Sequence, residues 1–395
     1  MSNPKSFSAQ GRGLKFETKA DIEPYLKQIK DIDGIEEIHL GGNTFGTEPC
    51  IALAETLKGV NTLKVADLAD IFTGRLISEI PPALQAICDA LTPMTSLVEL
   101  DLSDNAFGGR SAEPMVNFLT NNRSFQILKL NNNGLGVWGG TTVASALLES
   151  AKLYRKEGKI SNLRVVVCGR NRLENGSAPH WAEAFAAHGT LKEVRLPQNG
   201  IQVEGITAIA QGLAKCPNLE SLDLQDNTAK ENGTRAVAVA LAKWPNLRSL
   251  NLSDCLLSTR GSYALASALG RGHTPKLETL RLQYGEMNAT GINVLAQAIS
   301  DHLPNLVTLE LNGNKANPED ECFTNVRDAL ECHNHGDALD DLDDMEDSDE
   351  EEEEEHPAVA VAEELDAAEA EKGQAAATED PADELAAILN RVQLG

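Results

Sequence analysis

Few residues in this chain have types and spacing that could do chemistry. Arg75 follows Phe72-Thr73-Gly74. A guanidinium held after a glycine-permitted turn can fork to a carboxylate, or stabilise phosphate charge on a partner as an arginine finger does. A surface Arg pairing with Glu79 or Asp70 fits the same pattern. Gly134-Leu135-Gly136-Val137-Trp138-Gly139 matches GxGxxG, but no acidic residue ends the next strand to take a ribose, and the repeat geometry below explains the glycines. Cys332-His333-Asn334-His335 has metal-ligand types without a second ligand pair at a metal-site spacing; a solvated helix end accounts for it. The phosphate loop GxxxxGK, the zinc motif HExxH and the nucleophile elbow GxSxG are missing from the sequence. The sequence carries no chemistry of its own and no expected metal, so any reaction must take place on a partner.

The elements that position these residues form a repeat. Phe125 to Gly136 fits LxxLxLxxNxLG, with Phe125, Leu128, Leu130, Asn133, Leu135 and Gly136 in the fixed places. A short strand turns its Leu residues inward, and a buried turn follows whose amides and carbonyls the ninth-place Asn can satisfy. One such unit cannot bury its own apolar face, so neighbours must stack on it. The ninth places are Asn43, Ile71, Asn105, Asn133, Asn171, Asn199, Asn227, Cys255, Gly285 and Asn314, at intervals of 28, 34, 28, 38, 28, 28, 28, 30 and 29 residues. That period belongs to the long class, in which a full helix follows each strand and turn. The expected fold is an α/β leucine-rich repeat horseshoe of about ten ribonuclease-inhibitor-like βα repeats, with a parallel sheet on the concave face and helices on the convex face. Ile22, Leu26 and Ile29 share a helical face and predict an N-terminal capping helix; Phe323, Val326 and Leu330 predict a C-terminal one. The two long intervals hold the irregular stretch Asp67 to Pro82 and Leu153 to Asn162, a charged extension of a helix and its following loop; since insertions in such repeats map to loops, both are expected as special features on a regular body.

Ladder residues such as Asn105, Asn133 and Asn227 are then structural. The eighth places, just before them, are Gly42, Asp70, Asp104, Asn132, Arg170, Gln198, Asp226, Asp254, Tyr284 and Gly313. Each is expected to point out of its turn, so that stacking makes a polar row of mixed charge suited to a protein surface. Nothing in the pattern requires Asn132 or Arg170 to be polar in a particular way. Asp70, Asp104, Arg170, Asp226 and Asp254 are the expected partner-binding residues of the row; ordinary solvated turn residues are the alternative.

Charge is uneven. The 395 residues carry a formal −26, of which −21 falls from Asp337 onward, where 23 acidic residues face 2 basic ones. Such a chain repels nucleic acid and anionic membrane and favours a basic protein partner. The expected organisation is a capped repeat domain over 1–336 and an acidic, largely disordered tail over 337–395. Seven dispersed Cys suggest reduced thiols, and the start MSNPKSFSAQGRGLKF has no apolar targeting core, so a monomeric intracellular chain is expected. Leu385, Ile388, Val392 and Leu394 have the spacing of a leucine-rich nuclear export signal, for which an export receptor is the partner. A short docking helix or a stray apolar end fits equally.

Taken together, Ile71-Phe72-Thr73-Gly74-Arg75, Asn132 to Gly136, Cys168 to Ser177, Leu222 to Asn227 and the acidic tail resemble the Ran GTPase-activating protein family, fungal type. The most specific match is Cys168 to Ser177, which generic repeats would not reproduce. The resemblance implies a protein that binds Ran in its GTP state across the early repeats, with a Ran-binding protein as a further partner, and stimulates its hydrolysis. It implies no inserted arginine finger: a rim Asn, here Asn132, touches Ran's own catalytic machinery, and the required Arg, here Arg75, serves the interface and loop positioning. GTP and Mg belong to the partner, this chain needs no cofactor, and its setting is the cytoplasm in support of nucleocytoplasmic transport. The chain departs from some relatives in having Ile77 two residues after the Arg, where they have Lys, and Gly285 on the ladder. The contrasting expectation is a non-catalytic repeat scaffold that blocks a basic protein.

Overall fold

The computed structural model describes residues 5–346, in two compact units that part between Leu173 and Glu174. The first contains β1 (Ser6–Ser8), β2 (Lys15–Phe16), α1 (Lys19–Asp31), β3 (Glu37–His39), β4 (Thr44–Phe45), α2 (Thr47–Leu57), β5 (Val65–Asp67), α3 (Ile80–Leu91), β6 (Glu99–Asp101), α4 (Val116–Asn121), β7 (Ile127–Lys129), α5 (Gly136–Lys156) and β8 (Val165–Val167). Its sheet runs β1-β3-β5-β6-β7-β8, parallel throughout, and β2 pairs with β4 beside it. The middle residues of the strands, Phe7, Ile38, Ala66, Leu100, Leu128 and Val166, are in register and buried, while their neighbours, apart from the buried Val167, are at least partly exposed. The register offsets reproduce the sequence intervals, so the two insertions leave the sheet unchanged. One becomes the irregular segment before α3, and the other lengthens α5.

The second unit contains α6 (Glu174–His188), β9 (Glu193–Arg195), α7 (Val203–Leu213), β10 (Ser221–Asp223), α8 (Lys230–Leu241), β11 (Ser249–Asn251), α9 (Thr259–Leu269), β12 (Thr279–Arg281), α10 (Ala289–His302), β13 (Thr308–Glu310) and α11 (Glu321–Glu331). Its sheet runs β9-β10-β11-β12-β13, with Val194, Leu222, Leu250, Leu280 and Leu309 buried in register. Both expected capping helices form, as α1 and α11. Among the described residues, no helix is long and apolar enough to cross a membrane.

The Asn ladder explains why one side chain recurs. Asn133 Nδ2 donates to Leu130 O at 3.1 Å and to Leu102 O of the preceding repeat at 2.9 Å, and its Oδ1 accepts from Asn105 N at 2.8 Å. A single amide thus satisfies buried backbone groups of two repeats. Where the ladder changes residue, the contacts adapt. Cys255 donates its thiol to Leu224 O at 3.2 Å, the place that Asn227 Nδ2 takes on Leu196 O one repeat earlier.

Two segments depart from expectation. The polar start forms β1, because Phe7 and Ala9 alternate with polar residues and bury one face against β3. At the other end, residues 337–346 of the expected disordered tail run along β13. Leu309 N donates to Ala338 O at 2.7 Å, Asp340 N donates to Leu309 O at 3.0 Å, and the Asp340 carboxylate accepts from Leu311 N and Asn312 N at 2.8 and 3.2 Å. An open edge strand has unpaired backbone groups, and here an acidic segment takes them up. The rest of the tail, with Leu385, Ile388, Val392 and Leu394, lies outside the described residues.

Candidate functional site

The eighth places are not free turn positions. Asp70, Asp104, Asn132 and Arg170 in the first unit, and Gln198, Asp226, Asp254 and Tyr284 in the second, all have left-handed backbones, with φ between 50° and 59°; Gly42 and Gly313 lie at 71° and 74°. Gly, Asn and Asp tolerate that conformation best, and they fill seven of the ten places. The expectation that nothing in the fold constrains Asn132 is therefore corrected: its backbone favours an Asn, while its outward direction leaves the amide for other use. Gly313 has a second reason to be glycine, since a Cβ there would stand 2.2 Å from the Tyr284 ring.

In the first unit, three of these turns are tied to the next repeat by their own amides. Asp70 N donates to Ser103 O, Asp104 N to Asn131 O and Asn132 N to Gly169 O, at 2.8 to 2.9 Å. The exposed Asn132 side chain is oriented by one bond, Nδ2 to Asp104 Oδ1 at 2.9 Å, and its Oδ1 makes no hydrogen bond among the described residues. Asp70 accepts from Thr73 Oγ1. Three consecutive Asn thus do three things. Asn131 Oδ1 accepts from Gly169 N at 2.6 Å, Asn132 faces solvent, and Asn133 serves the ladder. The segment from Cys168 is largely structural by the same test. Cys168 and Leu173 are buried, and Asn171 accepts from Asn133 N at 3.0 Å. Its outward residues are Arg170 and Arg172, both exposed and both left-handed at φ 55° and 56°. Arg172 escaped the sequence reading, although the two-residue alternation with Arg170 marks it.

Arg75 is the largest revision. Its side chain is 7% exposed. Nη1 meets Glu17 Oε2 at 2.5 Å, Nε donates to Thr44 Oγ1 at 3.0 Å, and Nη2 donates to Phe16 O at 3.2 Å and Thr44 O at 3.3 Å. It pairs with neither Glu79 nor Asp70. All three guanidinium nitrogens are used inside the first unit, clasping the β2–β4 ribbon to the segment before α3. Glu79 instead accepts from Leu76 N at 2.9 Å, closing the turn after Arg75.

The hydrogen bond and charge of Arg75 hold the Glu17 carboxyl below its ordinary value, and Asp21 is lowered by the Thr18 backbone and side-chain groups of the α1 capping box. A depressed folded pKa contributes stability that is present above the unfolded value and lost as pH falls through the folded one. The β2–β4 ribbon should therefore loosen below the usual carboxylate range. Asp101, pushed up by burial, acts with the opposite sign, so the test is a difference. Amide-exchange protection of Phe16 and Phe45, taken against the intrinsic rate at each pH, should fall on acidification in the native chain more than in Glu17→Gln. Equal acid sensitivity would remove the pair as the cause.

Asp226 and Asp254 belong to the second unit. Asp226 accepts from Gln198 Nε2 at 2.9 Å; Asp254 is pushed up by burial and then by the Asp226 charge. Tyr284 closes this rim by donating to Asp344 at 3.2 Å. The structure thus brings Asp70, Asp104, Asn132 and Arg170 onto the rim of the first unit, and Asp226 and Asp254 onto that of the second.

Comparison with known proteins gives matches to leucine-rich repeat family models at residues 94–116 and 246–268. A Ran GTPase-activating protein of Drosophila melanogaster is 45% identical over 322 residues, 81% of this chain and 54% of that protein. Ran GTPase-activating protein 1 of Xenopus laevis is 45% identical over 197 residues, 49% and 34% of the two chains, and that of Saccharomyces cerevisiae 37% over 220 residues, 54% of each. The chain spans about half, or less, of the length of these relatives. With repeats, ladder and rim as described, the chain has the leucine-rich repeat fold and is similar, over up to 81% of its length, to Ran GTPase-activating proteins.

Proposed function

We propose that this chain binds Ran in its GTP-bound state through the rim of the first unit and stimulates hydrolysis by ordering groups that Ran itself carries. The names of its relatives point to Ran, and the observation that supports the mechanism most is the commitment of Arg75. Its guanidinium is held by Glu17, Thr44 and Phe16, so it is not set to reach a phosphate. The exposed group of the rim is instead the Asn132 amide, oriented by Asp104. A neutral amide can hold a side chain or a water in line, but it cannot neutralise phosphate charge. The chain therefore acts in trans with no active site of its own, and GTP and Mg come with the partner. Asp70 and Asp104 would meet basic groups of that partner and favour encounter at low salt. In a cell this would keep cytoplasmic Ran in its GDP form, as nucleocytoplasmic transport requires.

The test is hydrolysis of GTP preloaded on Ran, with the chain at catalytic concentration. The expected result is acceleration by orders of magnitude; no acceleration overturns the proposal. A blocking scaffold for a basic protein is favoured only by the Asp226–Asp254 rim of the second unit, and it predicts binding without acceleration.

A further inference from the structure

Leu76 and Ile77 follow Arg75, whose side chain is 7% exposed, yet they are themselves 69% and 65% exposed. The turn that carries them is not loose. Arg75 N donates to Phe72 O at 3.0 Å, Leu76 N to Glu79 Oε2 at 2.9 Å and Glu79 N to Leu76 O at 2.9 Å. The usual arrangement is inverted: a charged side chain is fixed inside, and two large apolar ones are presented to solvent on a rigid turn. A third joins them from another repeat. Trp138, in the first turn of α5, is 57% exposed. A Cβ on Gly108 would stand 3.9 Å from Ile77 Cδ1, and one on Gly109 would stand 3.6 Å from Trp138 Cε3. Ile77 and Trp138 therefore lie against adjacent glycines. Gly108 N in turn donates to Asn133 O at 2.9 Å, directly beside Asn132.

We propose that Leu76, Ile77 and Trp138 form the apolar anchor of the Ran·GTP interface, next to the polar rim that carries Asn132. This rests on the proposed function and names where the affinity for that partner comes from. The occupant follows from continuity: the apolar cluster begins where the Arg75 clasp ends, and it touches the glycine hydrogen-bonded to the Asn132 turn. A rigid apolar centre bordered by polar residues is the usual anatomy of a protein interface, and aromatic side chains dominate its binding energy. Fixing the anchors beforehand lowers the ordering cost on association. Asn132 and Arg75 then govern the rate in the complex, and the apolar cluster governs how much Ran·GTP is needed to form it.

The test measures initial rates of Ran·GTP hydrolysis at rising Ran·GTP, with catalytic amounts of the full chain and of an Ile77→Ser, Trp138→Ala double variant. The double variant should raise the half-saturating Ran·GTP concentration roughly tenfold or more and keep the maximal rate within about twofold. Ile160→Ser is the control. Ile160 is 79% exposed beyond the far end of α5, a 21-residue helix about 30 Å long, and its change should move neither quantity. An unchanged half-saturation in the double variant overturns the inference while leaving the proposed function standing. An Ile160→Ser effect of the same size overturns it too, because the effect would not be local. A double variant that fails to fold would show these side chains to be buried in solution, and a free chain whose self-association the double variant abolishes would assign the patch to a second copy; either result overturns it. If the native chain leaves Ran·GTP hydrolysis unchanged, the proposed function falls and takes this inference with it.

Discussion

Arg75→Ala should lower the maximal Ran-stimulated rate about 100-fold, the cost of displacing a positioned group by about an ångström. The guanidinium joins Phe16, Glu17 and Thr44 to the segment before α3, so its loss frees that segment and the β2–β4 ribbon together. Several bonds disappear at once, but their setting is partly exposed, so the cost in stability should be about 2 kcal/mol and the chain should remain folded. Arg75→Lys is the informative companion. One ammonium cannot reproduce a fork that reaches a carboxylate, a hydroxyl and two carbonyls, so Lys should recover little of the rate. A fully active Arg75→Lys would mean that the charge acts as a point charge at the interface. Glu17→Ala removes one exposed partner and should cost far less than Arg75→Ala. Rates at saturating Ran·GTP, with thermal unfolding of each variant, separate these outcomes.

The second large effect concerns Asn132, and the substitution has to respect its backbone. At φ 53°, an Ala carries a conformational cost of about 1 kcal/mol, so Asn132→Ala would mix a stability loss with any functional one. Asn132→Gly accepts the left-handed turn and removes only the amide. It should reduce the maximal stimulated rate about 100-fold, as removal of a single preorganised hydrogen-bonding group does, while thermal stability stays nearly unchanged. Asn132→Asp keeps the size and tolerates the turn, but it sets a carboxylate against Asp104, 2.9 Å from the amide nitrogen it replaces. It should lower the rate as well and become more sensitive to salt. A normal maximal rate in Asn132→Gly would remove Asn132 from the catalytic role.

These two residues were not equally legible. Asn132 could be picked out because periodicity separates places that stack from places that do not. Its left-handed backbone was legible in principle as well, in the Gly, Asn and Asp that dominate the eighth places. The charge of Arg75 and the glycine before it were visible; its partners were not. Glu17 lies 58 residues away and Thr44 31 away, and no pattern in either segment marks it as half of a clasp. Leu76 and Ile77 looked like part of an irregular insertion, and only their exposure beside Trp138 gives them a use.

The sequence by itself determined the repeat: its period, the strand and ladder positions, the capping helices and the row of outward turns. That is information carried by spacing, and a chain that must bury an apolar face every 28 residues can do so in few ways. Tertiary structure decided what the spacing left open. It turned Arg75 inward and its two apolar neighbours outward, made the polar start a strand, and laid residues 337–346 along β13. Each of these depends on which backbone groups and charges remain unpaired once the repeats have stacked, and only the folded chain brings those groups within hydrogen-bonding distance.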